Sequence, residues 1–155
     1  MSLRQRIMDA LKDAMRGKQE RETATIRMMI AKLRERDIEV RPSGNMDGIG
    51  EAAILSMLEG MVKQRRESVV MYEKGGRADL VKQESEEIAI IESFMPKRLS
   101  EEEVKAAIAQ VVAAIGAKDI KDMGKVMAEL KNAYAGQMDF AQAGALVRAQ
   151  LGAAA

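Results

Sequence analysis

Apolar residues recur along this chain at intervals of three and four, a spacing that builds helical faces and little else. Leu3, Ile7, Met8, Leu11 and Met15 form one stripe, and Ile26, Met29, Ile30 and Leu33 form a second. No segment shows the strict alternation of a half-buried strand. Only two prolines interrupt 155 residues, and Ala, Leu, Met, Glu, Lys and Arg, all good helix formers, are abundant. The expected fold is all-α, with an N-terminal four-helix lobe followed by a small three-helix C-terminal lobe.

The punctuation places the helices. Ser2 is a natural N-cap for a first helix that runs to Arg16 and stops at Gly17, and a second spans Glu20 to Ile38. Pro42, Gly44, Gly48 and Gly50 then mark a loop expected to be mobile. A long third helix, from Gly50 to Lys74, ends at Gly75-Gly76, which can supply a left-handed cap. A fourth is expected from Ala78 to Met95. Met95-Pro96 drives the residue before proline out of the helical region, and Ser100 with Glu103 restarts the chain as a capping box. The expected domains are therefore residues 1–95 and 96–155. Within the second, Gly116 and Gly136 separate three short helices, with Asp122 and Asp139 as candidate N-caps.

Cysteine and histidine are both absent, so a thiol nucleophile, a thiolate metal site and the commonest general base are all missing. The residues point away from catalysis, and neither a cofactor nor a metal is expected. Lack of cysteine suits a reducing compartment. The N-terminus has neither an apolar signal core nor a cleavage site, so a cytoplasmic location is expected. No apolar run approaches the roughly 18 to 20 residues of a spanning helix, so no membrane partner is expected.

The charges nearly balance, 25 basic against 24 acidic. Residues 1–41 carry net +4, residues 42–95 net −4 and the remainder net +1, so any field that would attract nucleic acid is local. Glu84, Glu86, Glu87 and Glu92 could suggest a hard-metal site, but carboxylates at such spacing more often form the solvated side of a helix. Glu101, Glu102 and Glu103 complement the positive end of a helix. Gly124-Lys125 lacks the glycine-rich run and preceding strand of a phosphate loop. Thirteen methionines suit irregular gaps between helices, with an adaptable binding surface as the alternative.

Two basic features remain in the first lobe. Arg27 and Arg34 share a face of the second helix, with Lys32 and Arg36 beside them, and Lys63, Arg65 and Arg66 crowd the third. Most such residues simply solvate helices. Arg65 differs, because residues 58, 61, 62, 65, 69 and 72 form one stripe and an arginine inside it needs a partner. A buried carboxylate or a ligand anion would serve.

In order along the chain come Ile26-Arg27-Met28, Val62-Lys63-Gln64-Arg65-Arg66-Glu67-Ser68, Gly75-Gly76-Arg77-Ala78-Asp79-Leu80, Phe94-Met95-Pro96 with Leu99-Ser100, and Lys121-Asp122-Met123-Gly124-Lys125-Val126-Met127. These segments resemble the successive signatures of the YqeY-like family over nearly the whole chain. That family is related to the C-terminal tail region of the B subunit of glutamine-dependent aspartyl/glutamyl-tRNA amidotransferase. The resemblance implies two helical lobes and a link to tRNA or translation, while the chemical steps of amide transfer belong to other domains and subunits.

The leading expectation is a non-catalytic tRNA-associated accessory or binding module. With only Tyr72, Phe94, Tyr134 and Phe140 available for stacking, RNA contact would run through phosphates and shape. The candidates are Arg27, Arg34, Lys63, Arg65 and Arg66 in the first lobe, and Lys121, Lys125 and Lys131 in the second, where the helix N-terminus near Gly124 could accept a phosphate. Two alternatives stay open. One is a helical adaptor for a translation-related protein partner without RNA contact. The other is a component of an amidotransferase assembly, with carbon-nitrogen ligase activity and glutamine as amido donor.

Overall fold

The Ser2 hydroxyl accepts the Gln5 N–H at 3.1 Å and starts the first helix at the expected residue. The computed structural model describes residues 1–153. Their helices are α1 (Leu3–Arg16), α2 (Glu20–Val40), α3 (Glu51–Lys74), α4 (Ala78–Glu92), α5 (Glu101–Ile115), α6 (Met123–Ala133) and α7 (Phe140–Ala153). Single 3-10 turns occupy Arg41–Ser43 and Ile120–Asp122, and no strand occurs among the described residues. The class is all-α. The chain divides into two compact units, the first Met1–Pro96 and the second beginning at Lys97.

In the first unit α1 and α2 form one antiparallel hairpin and α3 and α4 another, with α2 packed on α4 as well. The 3-4 stripes meet in one core that includes Ile7, Met29, Leu33, Ile54, Leu58 and Ile91, all fully buried. Phe94, just beyond α4, closes it. Helix α3 ends in a Schellman motif: Arg77 N–H bonds Tyr72 O at 2.9 Å, Gly76 N–H bonds Glu73 O at 3.2 Å, and Gly76 has φ +68°.

Helix α4 stops at Glu92, three residues short of the expected Met95. Pro96 has no N–H to extend the ladder and excludes Met95 from the α region. Phe94 and Met95 instead bond Ile91 O and Glu92 O in tight i→i−3 turns. Helix α2 runs two residues past Ile38 before its 3-10 turn.

The loop after α2, expected to be mobile, is fastened. Ile49 N–H donates to Asp37 at 2.9 Å and Ile49 O accepts from Arg4 at 3.0 Å, while the Asn45 side chain bonds Asp47 N–H, Gly48 N–H and Gly48 O. At its end Leu3 N–H donates to Glu51 at 2.8 Å.

In the second unit α5, α6 and α7 pack against one another around Ile108, Val126, Leu130, Met138, Val147 and Leu151. Both bonds of the Ser100/Glu103 capping box are present, each 3.2 Å long. Asp139 caps α7 by accepting the Ala141 N–H at 2.9 Å. Asp122 stands at the start of α6 but makes no side-chain cap bond there, because its carboxylate turns back to the Lys118 N–H at 2.9 Å. Asp119 caps the preceding 3-10 turn instead.

The methionines divide. Met29, Met57, Met61 and Met138 are buried and Met8, Met95, Met123 and Met127 pack on the cores, so these eight are fillers. Met1, Met15, Met28, Met46 and Met71 are exposed.

Candidate functional site

Arg65 sits on the core-facing stripe of α3, and α4 supplies its partner. Its Nε donates to Glu87 Oε2 at 3.0 Å, its Nη1 donates to Met61 O at 3.2 Å, and both side chains of the pair are nearly buried. Glu87 thus supplies the buried carboxylate that an arginine on this stripe requires. Burial of two charges is tolerable only when geometry and hydrogen bonds compensate, as they do here.

Glu87 therefore departs from the solvated-side reading of the α4 carboxylates: at 7% exposure it belongs to the interior. Its neighbour Glu84 is half-buried, and burial followed by the Glu87 charge raises its pKa above the ordinary glutamate value. Glu86 pairs with Arg21 at 3.3 Å, and Glu92 pairs with Arg66. Arginines from α2 and α3 thus take up three of the four carboxylates, and the described residues hold no acidic group suited to a metal ion.

The other basic candidates of the first unit face solvent. On α2, Lys32 and Arg36 are engaged by Glu35 and Glu39 three residues on, at 3.2 and 3.1 Å. Arg27 and Arg34 are exposed and form no ion pair among the described residues, and Lys63 on α3 is likewise exposed. Arg27 does place Nη2 3.9 Å from Met15 Sδ. Of the five candidates here, then, Arg65 and Arg66 are engaged by carboxylates and three remain available to an outside anion.

In the second unit Lys121, Lys125 and Lys131 are all exposed. Lys125 lies in the first turn of α6 and Lys121 in the 3-10 turn just before it. Lys131, six residues beyond Lys125, falls on a different face of the helix. Lys118, absent from the expected candidates, joins the group near the helix start. The Asp122 pKa is lowered chiefly by the Lys118 N–H, with the Lys125 and Lys118 charges adding to it. The signal for Lys118 in the sequence is the Lys118-Asp119-Ile120-Lys121-Asp122 run, in which two aspartates balance two lysines. Gly124 is exposed, and a Cβ built on it meets nothing within 4 Å, so its surface is open to a ligand. Asp119 and Asp122 flank that helix end and oppose an anion at the backbone itself.

All four aromatics are at least partly buried, Phe94 in the first core and Phe140 and Tyr134 against the second. A shallow cavity of about 70 Å³ lies over Val104, Met138 and Ala143. That is well below the roughly 300 Å³ at which cofactor-sized pockets begin. No helix among the described residues is long and apolar enough to cross a membrane.

Comparison with known proteins adds to this geometry. "Altered inheritance of mitochondria protein 41, mitochondrial" of Eremothecium gossypii is 33% identical over 55% of this chain and 44% of its own length. Proteins of the same name from Kluyveromyces lactis and Lachancea thermotolerans are 28% and 27% identical, each over 66% of this chain and 54% of theirs. The chain thus spans about half the length of the curated relatives it matches. Their names overturn the expected cytoplasmic location, since all are mitochondrial. A chain without cysteine suits any reducing aqueous compartment, so that feature could not single out the cytoplasm. The family model for Yqey-like protein matches residues 4–151, from the first turn of α1 to the end of the second core, and the chain belongs to the YqeY-like family.

Proposed function

We propose that this protein is a non-catalytic, tRNA-associated accessory or binding module that holds phosphates through exposed lysines and arginines. The observation that carries the reading is the group of Lys118, Lys121 and Lys125 around the start of α6, side chains that face solvent and form no ion pair among the described residues. The family's relation to the amidotransferase B-subunit tail supplies the ligand class. Buried or half-buried aromatics favour phosphate and shape over base stacking.

Binding of this kind is salt-dependent. Removing one phosphate-binding charge lowers the slope of log affinity against log salt by up to about 1, or by roughly 0.7 for a single strand. The test is anisotropy titration of cytosolic and mitochondrial tRNA at several salt concentrations, with the wild type and with Lys121→Glu/Lys125→Glu/Lys131→Glu. The variant should bind more weakly, with a flatter salt dependence and unchanged helical content. Absence of binding by the wild type at low salt, or an unaltered slope in the variant, rejects the reading.

A protein adaptor is the second reading, favoured by the exposed Val70 and Met71 on α3, 49% and 72% accessible. Affinity capture with and without ribonuclease separates the two, because only RNA-bridged partners vanish on digestion. A role within an amidotransferase assembly would appear as glutamine-dependent amide transfer that requires this chain.

A further inference from the structure

Sulfur chemistry on this chain is confined to thioethers, since it has thirteen methionines and no cysteine. Among the five exposed methionines, two stand beside a guanidinium. Met15 Sδ lies 3.9 Å from Arg27 Nη2, and Met28 Sδ lies 3.9 Å from Arg65 Nη2. Arg65 is held in that position by Glu87 and by the Met61 carbonyl. Met46 and Met71 have no hydrogen-bonding neighbour at sulfur among the described residues, although they are the more exposed.

A thioether accepts hydrogen bonds weakly, whereas a sulfoxide is polar and carries an oxygen acceptor. The 3.9 Å separation exceeds an ordinary N–H···O distance by about 1 Å, so an oxygen added to either sulfur reaches the guanidinium without movement of a helix.

We infer that Met15 and Met28 are peroxide-modification sites, at which a hydroperoxide converts the thioether to a sulfoxide held by Arg27 and Arg65 respectively. A sulfur lone pair attacks the terminal peroxide oxygen, and the S–O bond forms as the O–O bond breaks. The hydroperoxide's own proton passes to the departing oxygen, which leaves as water or an alcohol. Sulfur loses two electrons and the peroxide gains them. The guanidinium N–H groups, anchored by Glu87 in the case of Arg65, stabilise negative charge on the departing oxygen as the O–O bond breaks and then bond the sulfoxide. At Met28 the product ties α2 to the Arg65–Glu87 pair that joins α3 to α4, replacing a weak sulfur contact by a charge-assisted bond.

The experiment treats the folded full-length chain with dilute hydrogen peroxide and follows each methionine by peptide mass spectrometry over time. Met46 and Met71, 75% and 72% exposed, serve as references for Met15 and Met28, at 51% and 41%. Met15 and Met28 should oxidise at least as fast as the references, and Arg27→Ala should slow Met15 several-fold without changing Met46. Rates that follow exposure alone, or an unchanged Met15 rate in Arg27→Ala, overturn the inference. Arg65→Lys tests Met28 in the same way. Should that variant fail to fold, the Met28 to Met71 rate ratio in the wild type decides: one or above supports the site, and below one rejects it.

Discussion

A methyl group on Gly48 would overlap the carboxylate of Asp37, with its Cβ 2.8 Å from Asp37 Cγ and 2.9 Å from Arg4 Nη2. The close approach exists because Asp37 on α2 accepts both Arg4 terminal nitrogens, at 2.7 and 3.0 Å, and the Ile49 N–H at 2.9 Å. One carboxylate thereby joins α1, α2 and the entry to α3.

Gly48→Ala should lower stability by about 2 kcal/mol or more, since it adds steric overlap to a φ of +91° that side chains rarely adopt. Denaturant titration measures it. A loss below about 0.5 kcal/mol, the usual surface range, would mean that the loop yields at no cost.

The Arg4 hydrogen bond is the main reason the Asp37 pKa lies below its ordinary value. The folded state therefore binds this proton less readily than the unfolded chain. The stabilisation is complete above about pH 4 and is lost as pH falls through the lower folded-state pKa. Asp37→Asn should cost about 1 kcal/mol at neutral pH after solvent screening. The gap from wild type should close in acid, and a gap that stays constant below pH 4 would assign the loss to packing.

Glu87→Ala should cost about 3 kcal/mol, because it leaves the nearly buried Arg65 guanidinium without its counter-charge. Arg65→Met/Glu87→Leu together should fall close to the wild type. Thermal melts of both singles and the double give the coupling, and additive losses would refute it.

Lys18→Gly should stabilise the first unit by about 1 kcal/mol. Lys18 carries φ +53° in the α1 C-terminal turn, where Lys18 N–H bonds Met15 O and Gln19 N–H bonds Ala14 O. Gly17 has φ −77° and sits one residue too early to relieve it. A lower melting temperature for the variant would contradict the strain.

Ser100→Ala should destabilise α5 by about 1 kcal/mol through loss of the bond to the Glu103 N–H. Hydrogen exchange at residues 101–104 reads the change locally, and unchanged protection there would show that Ser100 contributes no cap.

The elements were legible where their causes are local. Ser2, Ser100 with Glu103, Asp139 and the Gly75-Gly76 pair each close hydrogen bonds within a few residues, so the sequence alone marked those helix ends and the all-α class. The stripes likewise identified Ile7, Met29, Leu33 and Leu58 as core, since a helix turns its i, i+3 and i+4 positions to one side whatever it packs against.

Partners distant along the chain were decided only in three dimensions. The sequence showed that Arg65 needed an anion, but Glu87 stands 22 residues away, and only the packing of α4 on α3 turns it inward while Glu86 and Glu92 stay at the surface. Asp37 lies 33 residues from Arg4, and within the expected second helix it looked like one more solvated carboxylate. The same packing decides which methionines meet a core and which remain beside a guanidinium at the surface. Helix periodicity says which residues share a face, while the choice of face that each helix meets depends on the packing of whole stripes, to which no single residue spacing is a guide.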